Sequence, residues 1–348
     1  MCIRDSHVTM HFSQIAGSKC GTFTEMRAYI VSKLMWNPDQ DVDVLMKKFM
    51  KGYYGAAAPY LYQYEKLLEG ALLGSGIDLW IFDSPVSHKK GMLNLHCIKR
   101  YNELFDQAEA AVADNPELLD RVRTERLTLQ YSELEVVRSM KGQNVDEVKK
   151  KLELFRERAA YYKLPTINER NNSPLEYCDL YEKRFLPKTE KNYATGAKIT
   201  WVKAPTGRYK EHAEEWLLDE LYGGTAFVES WIGWEGTDAE FILDLGKEVN
   251  ISVIESDFLH QLGQWVFLPK QVTYSVSTDN QQYTAFGTTD IAEDKSIEVK
   301  FFQARSQVEQ PQKARYVKVE IKGVNTCPSW HCGVGHKAWF FMDEIRVL

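Results

Sequence analysis

The period of the hydrophobic pattern changes once along this chain, and that change limits what it can fold into. Between about residues 24 and 162, apolar side chains recur at spacings of three and four, the spacing that lines one face of an α-helix. Beyond residue 192 they alternate every second position, the spacing that lines one face of a strand. A 3.6-residue repeat does not lie flat in a sheet, and a two-residue repeat does not gather on one side of a helix. The chain therefore reads as two differently built domains, as the length prior of roughly 150 residues per domain also suggests for 348 residues.

Five helical segments stand out. Val42, Leu45, Met46 and Phe49 form one apolar stripe, with Gly52 as the expected stop. Ala57, Leu61, Tyr64, Leu67, Leu68 and Ala71 form a second, ending near Gly74 and Gly76. Tyr101, Leu104, Phe105, Ala108 and Val112 form a third, closed by Asp114-Asn115-Pro116. Pro116 suits the first position of the next helix because its fixed φ is already helical; that helix carries Leu119, Val122, Leu127 and Leu134. Val145, Val148, Leu152 and Phe155 follow. Short turns between such helices predict an antiparallel bundle. Residues 165–191 lack periodicity, carry Asn168, Asn171-Asn172, Ser173-Pro174 and Pro187, and are expected to be a linker with one short helix. In the second half, Phe241 to Leu245, Val249 to Ile254, Val272 to Val276 and Tyr316 to Ile321 read as strands, separated by turn signals such as Gly246-Lys247 and Asp279-Asn280. Many short strands predict a β-sandwich or jelly roll.

Composition excludes several classes. The residues are 44% hydrophobic and 26% charged, as in globular proteins, with a formal net charge of -6. That balance offers no electrostatic footprint for nucleic acid or an anionic membrane, and Lys149-Lys150-Lys151 lie among acidic residues as on a solvated helix face. No run of about 20 apolar residues predicts a membrane span. Cys2, Cys20, Cys97, Cys178, Cys327 and Cys332 lack paired zinc-site spacing; Cys327 and Cys332 are close enough to bridge, or to be two free thiols in a loop. Met1 to Ser6 carry no signal-peptide pattern and run straight into a strand-like Val8 to Phe12. Residues 1–7 are read as foreign, and the remainder as the C-terminal part of a longer protein.

Four landmarks then point to a family. Phe241-Ile242-Leu243-Asp244-Leu245-Gly246, Pro269 with Val272 and Ser275-Val276-Ser277-Thr278-Asp279, Ala314-Arg315-Tyr316-Val317, and Asp343-Glu344-Ile345 occur in the order seen in coagulation-factor type C, or discoidin, modules. Residues 192–348 thus resemble that family, and the tail from Cys327-Pro328-Ser329-Trp330-His331 to Trp339-Phe340-Phe341 resembles versions found in bacterial glycan-degrading enzymes. In the first half, Gln14, Glu25, Arg27-Ala28-Tyr29, Lys33-Leu34-Met35-Trp36-Asn37-Pro38 and Tyr53-Tyr54-Gly55 resemble the C-terminal part of an uncharacterised α-glucuronidase-like bacterial family, domain of unknown function 4838. By that resemblance, residues 8–164 are the last strand of a TIM barrel and its helical extension.

These resemblances set the functional expectations. Glycoside hydrolysis uses two carboxyl groups about 5 Å or 6.5–9.5 Å apart on loops of a complete barrel. A single strand builds no barrel, so no catalytic residue is assigned and the chain is expected to be inactive, its parent being a glycoside hydrolase. Gln14 and Glu25 are candidate remnants of a substrate site, Glu25 reading first as an acid favoured by a helix N-terminus. The resemblance implies structural Ca²⁺ held by Asp219 and Glu344, although Glu220 replaces the glycine usual after that aspartate. The expected partner is an oligo- or polysaccharide contacted by Tyr222, Trp231, Trp330 and His331, in a secreted or cell-surface setting, with no organic cofactor. An adhesion or protein-interaction module is the alternative, since the fold serves both.

Overall fold

The computed structural model describes residues 21–80, 83–167, 172–225 and 230–348. The expected strand at residues 8–12, together with Gln14, Cys2 and Cys20, lies outside the described residues. The chain divides into two compact units, Met1–Leu186 and Pro187–Leu348.

The first unit is helical: α1 (Thr24–Trp36), α2 (Val42–Tyr54), α3 (Ala58–Ser75), α4 (Leu95–Ala111), α5 (Pro116–Arg138), α6 (Val145–Tyr161) and α7 (Pro174–Leu180). Side-chain caps set several starts. Asp41, Asn94, Asn115, Asn144 and Ser173 each accept from an amide of the first turn, satisfying donors that have no partner within the helix. Pro116 opens α5. Gly52 does not end α2; the helix runs to Tyr54, and Gly55 at φ 57° turns the chain. Gly52 has space around it and costs only helix propensity, whereas position 55 requires the positive φ that glycine adopts without strain. Leu45, Met46, Met50, Tyr54, Leu61, Tyr64, Tyr101, Leu104, Phe105 and Val122 pack into one core. Each large apolar side chain buried this way contributes roughly 1.5–3 kcal/mol before conformational entropy is subtracted.

Residues 165–191, expected as a linker with one short helix, hold such a helix and one further helical turn. α7 and the single π-helical turn Tyr181–Phe185 are packed against α5 and α6. Tyr177 lies edge-on to Tyr131 and Phe155 and donates to Glu135 Oε1, while Tyr181 donates to the Leu134 carbonyl. Seven residues are too few to show a helical period, so sequence placed a short helix in this segment but not its aromatic face.

The second unit is antiparallel: β1 (Lys198–Lys203), β2 (Ile232–Glu235), β3 (Ala239–His260), β4 (Gln271–Ser277), β5 (Thr284–Asp290), β6 (Lys300–Lys322) and β7 (Trp339–Val347), with one short helix α8 (Ala213–Trp216). β3 and β6 are long and change neighbours along their length. Their 239–244 and 316–322 ends pair with β1 and β4 respectively, and their other ends form a ladder flanked by β7, then β2. The result is an antiparallel β-sandwich built from one continuous seven-stranded sheet, with β3 and β6 contributing to both of its halves. Phe241, Leu243, Ile254, Phe258, Val272, Tyr274, Val317, Val319, Met342 and Ile345 fill its core.

Gly246-Lys247 was expected to be a turn between strands. It is a bulge inside β3: the register moves from Asp244 opposite Tyr316 to Val249 opposite Ala314, with Gly246 at φ 78°. Beside it Arg315 grips Asp244 through two bonds, Nε to Oδ1 at 2.7 Å and Nη2 to Oδ2 at 2.8 Å. The two family landmarks containing these residues are thus one cross-strand contact. Asp279-Asn280 is a turn as expected; Asp279 Oδ1 accepts from the amides of Gln281 and Gln282, and Asn280 takes φ 61°.

Candidate functional site

Asp343 and Glu344 are adjacent on β7, and both are buried. Their oxygens organise the loop at residues 219–224. Gly223 N donates to Asp343 Oδ2 at 2.7 Å, Glu220 N to Glu344 Oε2 at 2.8 Å, and Leu221 N to Asp219 Oδ1 at 2.9 Å. Asn192 adds a weaker bond to Glu344 Oε1. Burial, reinforced by the neighbouring Asp219 and Asp343, holds the Glu344 carboxyl well above the usual carboxylate range. Glu220 sits at φ 64°, which explains why glycine is the residue expected there; its carboxylate accepts from the Thr195 hydroxyl. Asp219 and Glu344 therefore do share one buried acidic loop. Among the described residues no three His, Cys, Asp or Glu are grouped as a metal site, so a cation here would need carbonyl or water oxygens beside these two carboxylates.

The four aromatic candidates separate by burial. Trp231 is fully buried, stacked on Phe301, with its indole N–H on the Gly224 carbonyl. Gly223 lies against that ring; a Cβ there would stand 2.4 Å from Trp231 Nε1. Tyr222 is also buried, under the Lys188 ammonium. His331 is buried beside Phe267; its Nδ1 accepts from Gly333 N, so Nε2 carries the proton toward the Leu262 carbonyl. Tyr222, Trp231 and His331 thus offer no ring face to a sugar, because the loops bearing them fold inward onto the sheet.

Trp330 differs. It is 36% exposed, and its indole N–H donates to Glu293 Oε1 at 2.9 Å. Lys295 Nζ lies 5.3 Å from the ring centroid and 3.2 Å from Glu293 Oε2. Glu293 and Lys295 also line an open pocket of about 550 Å³ bounded by Leu268, Ile291, Ala292, Asp294 and Phe302. The loop carrying them is pinned. Asp294 accepts from Ser296 N and Lys300 Nζ, and the buried His260 ring faces the carbonyls of Asp294 and Glu298. The Trp330 N–H, followed by Lys295, holds the Glu293 carboxyl below its usual range. Neither Glu293 nor Lys295 was singled out from the sequence, where Glu293-Asp294-Lys295 reads like any solvated turn.

Cys97, Cys178, Cys327 and Cys332 are free thiols, which settles the open choice for Cys327 and Cys332; burial pushes the Cys327 thiol up. In the helical unit Glu25 is exposed in the first turn of α1, the position of a helix-dipole acid. A carboxylate buried there is Glu125 on α5. Its Oε1 accepts from Phe23 N at 2.7 Å and its Oε2 from the Tyr54 hydroxyl at 3.1 Å, while burial pushes the group up to about 7.

Residues 2–66 match the family model described as domain of unknown function (DUF4838), and residues 202–336 match the F5/8 type C domain. No curated protein matches the chain. Among solved structures, the chain is similar to the C-terminal domain of a chitobiase from Bacteroides fragilis, with 20% identity, 46% of this chain and 97% of that one covered, and a TM-score of 0.30. A CBM32-1 from a family 31 glycoside hydrolase of Clostridium perfringens gives 20% identity, 46% and 99% coverage and a TM-score of 0.31. CpGH89CBM32-5 from the same organism, solved with GalNAc-β-1,3-galactose, gives 17%, 45%, 99% and 0.28.

Proposed function

We propose that the sandwich unit binds a glycan at the pocket beside Trp330. The carrying observation is a partly exposed indole bonded to Glu293, a residue that lines an open pocket with both polar and apolar walls. Sugars bury C–H faces against aromatic rings and need acceptors and donors for their hydroxyls. Glu293 and Lys295 supply both beside the ring. Because the indole is already fixed, less rotamer entropy is lost on binding than at a free tryptophan. The F5/8 type C match supports the same reading.

A hard cation such as Ca²⁺ is the second part of the proposal, held by Asp219 and Glu344. A bound cation would favour the ionised form of a carboxylate that burial and its neighbours otherwise disfavour. Its role is to brace the loop at 219–224, away from any reaction.

The wider reading is that the chain belongs to a bacterial, extracellular, glycoside hydrolase-like protein, in which the module raises the local concentration of catalyst on a polymeric glycan. The DUF4838 match at 2–66 supports that placement. A glycan array followed by calorimetry tests the binding proposal. Saturable binding by the native chain that is lost in Trp330→Ala is the expected result. Silence across plant and mucin glycans, with specific retention by a protein partner, would replace it with the adhesion reading.

A further inference from the structure

Residues 291–299 form an irregular stretch between β5 and β6, and Glu293 and Lys295 of the pocket lie on it. His260, the last residue of β3 and only 1% exposed, is one of the groups that tie this stretch to the sheet. It lies two positions from Phe258 on the same strand face, and Phe302, the cross-strand partner of Phe258, lines the pocket. The His260 Nδ1 stands 3.2 Å from the Glu298 carbonyl oxygen, and its Nε2 stands 3.2 Å from the Asp294 carbonyl oxygen.

A carbonyl oxygen only accepts, so each of these two bonds needs a hydrogen on the ring nitrogen. The neutral imidazole carries one N–H; it makes one bond and sets a lone pair against the other carbonyl. The imidazolium makes both. His331 shows the contrast: one nitrogen accepts from Gly333 N and the other faces the Leu262 carbonyl, which the neutral ring satisfies. The charges beside His260 suit the cation. Lys300 is its cross-strand partner on β6, and Lys300 Nζ lies 3.0 Å from Asp294 Oδ2 and 3.4 Å from Glu298 Oε2. This group of one ammonium and two carboxylates reaches neutrality when His260 takes up a proton. The Ser296 amide and hydroxyl, then Lys300, hold the Asp294 carboxyl below its usual range, so it stays an anion in neutral solution.

We propose that His260 is a proton-dependent positioning residue for the stretch that carries Glu293 and Lys295. As the imidazolium it donates to both carbonyls and ties Asp294 and Glu298 to the end of β3. After losing a proton it keeps one carbonyl and releases the other. The two-bond state holds the extra proton, so the stretch is most ordered in mildly acidic solution and loosens as pH rises through the His260 titration. Glu293 and Lys295 loosen with it. Under the glycan reading of the pocket, on which this consequence rests, deprotonation of His260 therefore also weakens sugar binding.

The test is a proton titration of the nitrogen-15-labelled full chain, without glycan, followed by NMR from about pH 5 to 9. The readouts are the two ring nitrogens of His260 and the amide nitrogens of Lys295 and Val299, whose peptide groups contain the two carbonyls. The ring signals are assigned through the side chain's own bonds, so the test does not depend on a variant folding. Two protonated ring nitrogens at the acid end and one at the alkaline end are expected. The Lys295 or Val299 amide should shift with the same midpoint, and His260→Gln should abolish that shift. A ring that keeps one bare nitrogen throughout, or both protons throughout, overturns the proposal. So do amides that ignore the ring titration, or that still respond in folded His260→Gln. None of these outcomes involves a sugar, so they leave the glycan reading to Trp330→Ala.

Discussion

The indole N–H of Trp330 reaches Glu293 Oε1 at 2.9 Å, joining two loops that are 37 residues apart in sequence. Removing the ring should therefore differ from releasing it. Trp330→Ala is expected to weaken glycan binding by at least roughly tenfold, with little effect on folding, since the ring is partly exposed. Glu293→Ala keeps the ring and frees its rotamers, so a smaller loss, roughly threefold to tenfold, is expected in calorimetry. The Glu293 carboxyl lies below its usual range, so its bond to Trp330 persists at neutral pH and is lost as pH falls through that lowered value. Through this bond alone, affinity should be flat from pH 8 to about 5 and fall in more acid solution.

Glu344 sets a second expectation, with the opposite sign. Its carboxyl is held above the usual range, so as pH rises the unfolded chain ionises at this site before the native one does. Without a divalent cation, native stability should fall through that window, and Glu344→Gln should remove the fall. Added Ca²⁺ favours the ionised form and should raise the melting temperature more at pH 8 than at pH 5. A hundredfold excess over Kd corresponds to about 2.7 kcal/mol. Calorimetric scans with CaCl₂ and with EDTA check this, and Asp219→Ala should abolish the difference.

Glu125 predicts a pH dependence for the helical unit. It is buried and pushed up to about 7, so between about pH 4.5 and 7 the unfolded chain releases a proton that the native unit keeps. The helical unit should lose on the order of 3 kcal/mol across that range as pH rises. Chemical denaturation followed at pH 5 and pH 7.5 checks the slope. Glu125→Gln should flatten it while weakening the hold on Phe23 N or the Tyr54 hydroxyl.

The loop at 219–224 offers two glycine substitutions of opposite effect. Gly223→Ala would drive a methyl group into the Trp231 indole and should cost roughly 1–3 kcal/mol, read as a lower melting temperature and red-shifted tryptophan emission. Glu220→Gly removes a left-handed residue that costs about 1 kcal/mol and forfeits the bond from Thr195, so it should be close to neutral or slightly stabilising.

Much of the fold was legible in the residues, and the reason is local. The apolar stripes of α4 and α6, the Asn115-Pro116 start of α5 and the alternation in β4 each depend on spacing within a few residues. Where a reading went astray, the deciding partner was distant. Gly246-Lys247 has the composition of a turn, but pairing of both flanks with β6 makes it a bulge. Tyr177 and Tyr181 looked like linker residues until α5 and α6 covered them.

The site divides along the same line. Trp330, in a Pro- and Gly-flanked loop, was singled out as a candidate from sequence, as were Asp219 and Glu344 by resemblance. Tyr222, Trp231 and His331 were placed with them because loop aromatics carry no periodic signal that tells a buried ring from an exposed one. Glu293 and Lys295 left no trace for the complementary reason, since a charged turn reads the same whether it faces water or a ring.

By itself, then, the sequence determined two domains of different period, the strand landmarks of the sandwich, and the acidic loop. Tertiary structure decided which candidate aromatic is exposed and which carboxylates burial pushes above their usual range. Those outcomes depend on burial and on atoms brought together from over a hundred residues apart, as with Glu220 N and Glu344 or Phe23 N and Glu125. No spacing within a single segment encodes a contact of that range.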